Sequence, residues 1–135
     1  MQRPSSHSDS LDGTVGRRVN RAPLVVGMNE GAAQVRAALH HRGERYAVVR
    51  QGHRITAVVD RATLDRLLAA RPRGLVLVRD AVHPGLHCVR PETAAATAAR
   101  LMRATGSGAL PVVDERHRLV GLLTLSALDE QDGRQ

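Results

Sequence analysis

Leu110-Pro111-Val112-Val113, then four residues, then Arg118-Leu119-Val120-Gly121-Leu122-Leu123, reads as two apolar strands joined by a tight turn. An earlier stretch has the same form. Tyr46-Ala47-Val48-Val49 is followed by four residues and by Arg54-Ile55-Thr56-Ala57-Val58-Val59. The two stand 64 positions apart, with His53 and His117 at the same place in their turns. Upstream the offset becomes 63, pairing Val15-Gly16-Arg17-Arg18-Val19 with Val78-Arg79-Asp80-Ala81-Val82, and Val25-Val26 with Cys88-Val89. A recurring apolar pattern interrupted by a single-residue length change is the signature of a tandem duplication.

Each repeat predicts the same elements. A short apolar strand (Leu24 to Val26; His87 to Val89) leads into a helix. The helical stripe is Ala32, Val35, Ala38 and Leu39 in the first repeat, and Ala94, Ala98, Leu101 and Met102 in the second. These spacings put the apolar residues on one helix face. Gly43 and Gly106 stand where a helix C-terminal cap belongs. Strands follow near 46–50 and 54–59, and near 109–113 and 118–124; their unbroken Val and Leu runs predict cover on both faces. A closing helix from Ala62 to Ala70 carries Leu64, Leu67 and Leu68, and its counterpart spans Ser126 to Glu130. The fold class is α+β, β-α-β-β-α twice. The expected organisation is a disordered lead-in over 1–12, rich in Ser and polar groups, a first repeat over 13–73, a second over 74–130, and a tail over 131–135.

Composition bounds the function. A chain of 135 residues is long enough to bury a core without metals or disulfides, and its one cysteine, Cys88, excludes an internal disulfide. No run of eighteen apolar residues and no signal-like N-terminus is present, so a soluble cytoplasmic protein is expected. All 20 basic residues are Arg, and the net charge is +7. Residues 1–73 hold 13 Arg against 6 acids, whereas residues 74–135 hold 7 of each, so the surplus lies wholly in the first half. A basic chain invites a nucleic-acid reading, with Arg17, Arg18, Arg21, Arg36, Arg42 and Arg45 as a phosphate-binding face. Against it stands the want of aromatics on which bases could stack, Tyr46 being alone. Coding bias toward GC-rich codons accounts for the Arg content equally well.

No catalytic constellation emerges. His40-His41 are adjacent and are expected to point to different sides of their helix. His83 and His87 are separated by Pro84-Gly85, which breaks the helix that would join them. With a single Cys, no metal motif remains, and Cys88 in its apolar setting reads as a buried small hydrophobe rather than a nucleophile. Ser107 lacks the strand-turn-helix context of a hydrolase nucleophile, and a phosphate loop needs a Lys the chain does not have.

Val89-Arg90-Pro91-Glu92-Thr93, the Ala-rich helix ending at Leu101-Met102, Gly108-Ala109-Leu110-Pro111-Val112-Val113-Asp114 and Leu119-Val120-Gly121-Leu122-Leu123-Thr124 together strongly resemble a CBS domain. The first repeat resembles it more distantly, with Ala47 in place of a Pro and Ala57 in place of a Gly. The resemblance spans about residues 14–130. It implies a CBS pair, or Bateman module: two repeats about a pseudo-twofold axis with packed sheets. Such pairs form homodimers, regulate a partner protein rather than catalyse, need no cofactor, and bind AMP, ADP, ATP or S-adenosylmethionine between the repeats. The implied ligand residues are Val89, Ala109, Leu110 and Pro111 as an adenine slot, with Thr124 as the hydroxyl that contacts phosphate. The acid that would hold the ribose falls at Ala127, and the first repeat offers Asp60 and Thr63, the two chemistries inverted. A missing ribose carboxylate costs ~2–3 kcal/mol. A ligand-free dimerisation scaffold, with an unidentified protein target, is therefore the competing expectation, and a basic nucleic-acid binder the third.

Overall fold

The computed structural model describes residues 13–83 and 85–128. The expected lead-in over 1–12, the tail over 131–135, and the end of the closing helix toward Glu130 lie outside the described residues, as does Pro84. The chain divides into two compact units. Unit A is Pro23–Leu86, and unit B joins the segment ending at Ala22 to the chain from His87 onward.

In unit A, β1 (Val25–Gly27), α1 (Ala32–Arg42), β2 (Tyr46–Gln51), β3 (Arg54–Asp60) and α2 (Arg61–Ala70) follow in order. The sheet runs β1-β2-β3, with β1 parallel and β3 antiparallel to β2. Its core gathers Val26, Val35, Leu39, Val49, Val59 and Leu64, so one face of the sheet is closed by both helices. Unit B repeats the plan with α3 (Ala95–Thr105), β4 (Ala109–Val113) and β5 (Leu119–Thr124), and residues 125–128 are helical. Val89, Ala98, Met102, Leu110, Val112, Leu123 and Leu128 form its core. Gly43 and Gly106 end α1 and α3 in the left-handed conformation, φ +67° and +73°, as the sequence predicts.

Several expectations shift. The predicted strand over 87–89 contracts to a single bridge, Val89 to Val112. Val113 N–H donates to Val89 O, so the matching bond two residues upstream would need an N–H from Pro111 to His87 O, and Pro111 has none to give. The buried stripe of α3 is Ala95, Ala98, Ala99 and Met102; Ala94 is the extended residue before the helix and is exposed. Cover on both faces holds for β4, buried at all five positions, but β3 buries only Ala57 and Val59 and so alternates.

The repeat register also moves. Tyr46 opposes Asp60, and Ala109 opposes Thr124. Strands β2 and β4 therefore correspond at an offset of 63, while β3 and β5 correspond at 64. The extra residue sits in the hairpin turn of unit B, not upstream, and Pro111 corresponds to Val48 rather than to Ala47. The longer turn is closed by His117, whose N–H donates to Asp114 O at 2.9 Å and whose φ is +65°. A three-residue hairpin loop needs a left-handed residue there.

The segment preceding each repeat docks in the unit that holds the other repeat's helix. The 3-10 turn Val15–Arg17 lies in unit B, with Val15 N–H donating to Thr93 O (2.8 Å) and Gly16 N–H to Pro91 O (2.9 Å). The 3-10 turn Val78–Ala81 does the same in unit A, with Val78 N–H donating to Glu30 O and Arg79 N–H to Met28 O, both at 2.9 Å. Val15 and Val78 are fully buried.

Candidate functional site

In both units the last strand of the hairpin runs directly into a helix, and a polar side chain caps the junction. Asp60 accepts the Ala62 N–H at 3.0 Å, and Thr124 Oγ1 accepts the Ala127 N–H at 3.2 Å. A short oxygen-bearing side chain in extended backbone is what a helix start needs to satisfy its first donors. The opposite strand starts at the same level, with Tyr46 across from Asp60 and Ala109 across from Thr124.

The two junctions differ chemically. Asp60 receives the Arg45 guanidinium through Nε at 3.1 Å and Nη2 at 3.2 Å. Arg45 also lies 5.3 Å from the centroid of the Tyr46 ring. The hydrogen bond and charge of Asp60 push the Arg45 pKa further up, so the guanidinium stays charged. Burial raises the Tyr46 hydroxyl pKa, against the opposing pull of Arg45. Thr63, one turn into α2, accepts an N–H from Arg66 at 3.2 Å. The unit A junction is thus an acid held by a basic side chain. In unit B a neutral hydroxyl, Thr124, stands in that place, followed by the methyl of Ala127.

The structure divides the predicted adenine-slot residues between two faces of β4. Val89 and Leu110 pack in the unit B core, 8% and 2% exposed. Side chains alternate along a strand, so Ala109 and Pro111 turn to the opposite face, the one they share with Thr124 and Leu122 across the ladder. Asp60 and Thr63 belong to unit A, where strand pairing brings Tyr46 and Arg45 to Asp60. Sequence spacing held no signal for that pairing, because Arg45 and Asp60 are 15 residues apart.

Elsewhere, Cys88 is half-buried rather than buried, and burial pushes its thiol pKa up, which disfavours the nucleophilic thiolate. His40 and His41, expected on different sides of their helix, both line one groove beside Arg61, since successive helical residues turn by only about 100°. No group of three or more His, Cys, Asp or Glu among the described residues is placed to hold a metal ion. Among the same residues no helix is long and apolar enough to cross a membrane. The charge surplus read from the first half of the chain is shared once the units are drawn. Over the full sequence unit A holds ten Arg against five acids and unit B ten against eight, so unit A keeps most of the surplus and the rest passes to unit B with Arg17, Arg18 and Arg21.

Residues 78–130 match the sequence model of the CBS domain. No curated protein matches the chain. Among solved structures, the CBS domain pair of protein MJ0100 in complex with 5′-methylthioadenosine and S-adenosyl-L-methionine is similar at TM-score 0.80 and 14% identity, over 91% of this chain and 98% of that one. CBSX2 (from Arabidopsis thaliana) in complex with AMP is similar at TM-score 0.72 and 24% identity, over 90% and 97%. The cytosolic domain of the Mg2+ channel MgtE in complex with ATP is similar at TM-score 0.70 and 25% identity, over 87% of this chain and 48% of that one.

Proposed function

Because residues 78–130 match the CBS domain and the chain has the fold of a CBS-domain pair, we propose that it is a non-enzymatic regulatory module whose ligand contains adenosine. The observation that carries this reading is the pair of capped strand-to-helix junctions, in a fold whose solved examples include complexes with AMP, ATP and S-adenosylmethionine. Ala109 and Pro111, on one face of β4, supply apolar surface for an adenine edge, and Pro111 leaves no N–H there to satisfy. Val89 and Leu110 support that surface from the core side. Thr124 offers a hydroxyl at a helix start, where phosphate is favoured by the helix dipole. Asp60 repels phosphate, so within unit A the junction of Asp60 with Thr63 suits hydroxyl groups, whereas the Thr124 junction of unit B suits a phosphate. The module works in the cytoplasm as a homodimer that signals to a protein partner.

Calorimetry with AMP, ADP, ATP and S-adenosylmethionine tests the reading. At least one compound binds saturably, and a hundredfold excess over its Kd stabilises the fold by about 2.7 kcal/mol. Thr124→Ala then weakens the phosphate-bearing compounds about tenfold. No response at millimolar concentration overturns the sensor reading. A ligand-free dimer in sedimentation would then favour a scaffold, a reading supported by the methyl of Ala127 where an acid would hold ribose. A monomer at micromolar concentration overturns the homodimer.

A further inference from the structure

Helices α1 and α2 of unit A border a groove of about 650 Å3, lined by Arg36, Ala37, His40 and His41 from α1 and by Arg61 and Asp65 from α2. Two guanidinium groups and two imidazoles meet a single carboxylate. Arg36 and His40 lie four residues apart, one turn above the other on the same face, a rise of about 6 Å. Arg61 is held across from them, since its Nη1 donates to Glu44 O at 3.2 Å. A guanidinium anchored in this way loses little freedom when a ligand arrives. Arg36 is engaged by Asp65, at 3.5 Å between Nη1 and Oδ1, with both side chains about half exposed. Water competes at such a pair, so it is weak and open to exchange. Between these groups Ala37 contributes only a methyl, which leaves the groove its volume.

We propose that this groove binds an oligophosphate anion, pyrophosphate or longer, at a site separate from the capped junctions. Arginine forks match phosphate oxygens in pairs, and donors spread over a full helical turn from two facing helices suit more than one phosphate group. Asp65 acts as an internal competitor that the anion displaces from Arg36. Unit B supplies a natural control. At the corresponding positions it carries Ala99, Arg103, Ala104 and Leu125 for Arg36, His40, His41 and Arg61, and Ala99 is buried. The arrangement is not a general property of the repeat.

The test titrates the full chain with sodium pyrophosphate, sodium tripolyphosphate, ATP and adenosine by calorimetry at low salt. Tripolyphosphate binds more tightly than pyrophosphate, and Arg36→Gln weakens it at least about tenfold. Asp65→Asn strengthens it about threefold or more, an effect that damage to the fold would not produce. Arg100→Gln on α3 leaves it unchanged. If the phosphate tail of a nucleotide is the natural occupant, ATP binding is sensitive to Arg36→Gln. If free oligophosphate is the occupant, only the inorganic salts are. Adenosine binding is indifferent to Arg36→Gln in either case, so failure here is distinguishable from failure at the junctions. No heat at millimolar tripolyphosphate overturns the proposal. So does an affinity unchanged by Arg36→Gln or lowered by Asp65→Asn.

Discussion

The two units treat corresponding positions of their last strands, Ala57 and Gly121, differently, and one methyl group marks the difference. In unit B, Asn20 and Leu122 exchange N–H to O hydrogen bonds at 2.9 Å each, so the segment from Val15 to Asn20, which leads into β1, adds itself to the edge of β5. It comes so close that a Cβ on Gly121 would stand 2.3 Å from Asn20 O and 2.6 Å from Val19 Cγ2. In unit A the counterpart of Gly121 is Ala57, whose methyl is 4% exposed and packed in the core. Val82, the counterpart of Val19, packs on the core of unit A as well, but among the described residues no bridge like that of Asn20 with Leu122 joins its segment to β3. The lesson is that a duplicated fold tolerates an asymmetric division of its core, provided the small residue and the close segment occur together.

The largest test of this comparison is to exchange the two residues. Gly121→Ala forces the lead-in segment off β5 and releases two hydrogen bonds. Overpacking of this kind, with lost pairing, costs about 3 kcal/mol, a Tm fall on the order of 10 °C. Ala57→Gly removes one buried methyl and loosens a strand, at a cost of about 1 kcal/mol. Denaturant unfolding of both variants checks the ratio. Equal costs would mean that the lead-in of unit B contributes nothing to its stability.

How much of this could be read in the sequence follows from the range of each interaction. The hairpins, the helices and the caps at Gly43 and Gly106 rest on neighbours within a few residues, and they were legible. The exchange of lead-in segments was not. Thr14 bridges Ala94, and Gly31 bridges Leu77, contacts across scores of residues that leave no periodic trace. The register of β4 failed for a subtler reason. Val48-Val49 and Val112-Val113 match by identity at an offset of 64, but a run of like residues carries no phase. A one-residue slip in a strand exchanges its faces. Reading Leu110 and Pro111 as neighbours in one slot joined two side chains that point to opposite sides of the sheet. Only the cross-strand partners, Ala109 with Thr124 and Tyr46 with Asp60, restore the phase.

The capped junctions sharpen the comparison at a smaller scale. Replacing a helix-capping oxygen by a methyl costs about 1 kcal/mol, so Thr124→Ala in unit B should fall near that value. Asp60→Ala in unit A removes a cap and also leaves Arg45 without its carboxylate, an exposed pair that adds about 0.5 kcal/mol. The expected order is Asp60→Ala more destabilising than Thr124→Ala. Chemical denaturation of the two variants and of Arg45→Gln measures it. If Arg45→Gln and Asp60→Ala cost the same, the ion pair outweighs the cap, and the junction of unit A is held from the strand side rather than by the helix.

The smallest expected effect separates the two hairpin turns by their response to acid. The turn of unit A, Gln51-Gly52-His53-Arg54, contains no carboxylate. That of unit B is organised by Asp114, whose carboxylate accepts the backbone N–H groups of Arg116 and Arg118, each at 2.9 Å, and the Arg118 Nε at 3.2 Å. The Arg118 N–H leads in holding the Asp114 pKa below its ordinary value, with the Arg116 N–H and the Arg118 charge acting in the same sense. A depressed folded-state pKa means stability that is fully present above the unfolded value, about 3.9, and lost as pH falls through the lower folded value. The amide resonances of Arg116 and Arg118 should therefore titrate together, with a midpoint below 3.9, while those of His53 and Arg54 stay flat in that range. Asp114→Asn should abolish the titration and leave the hairpin formed, because an amide oxygen can still accept both backbone donors. A midpoint at or above the ordinary aspartate value would show that these bonds do not persist in solution, and that His117 alone closes the longer turn.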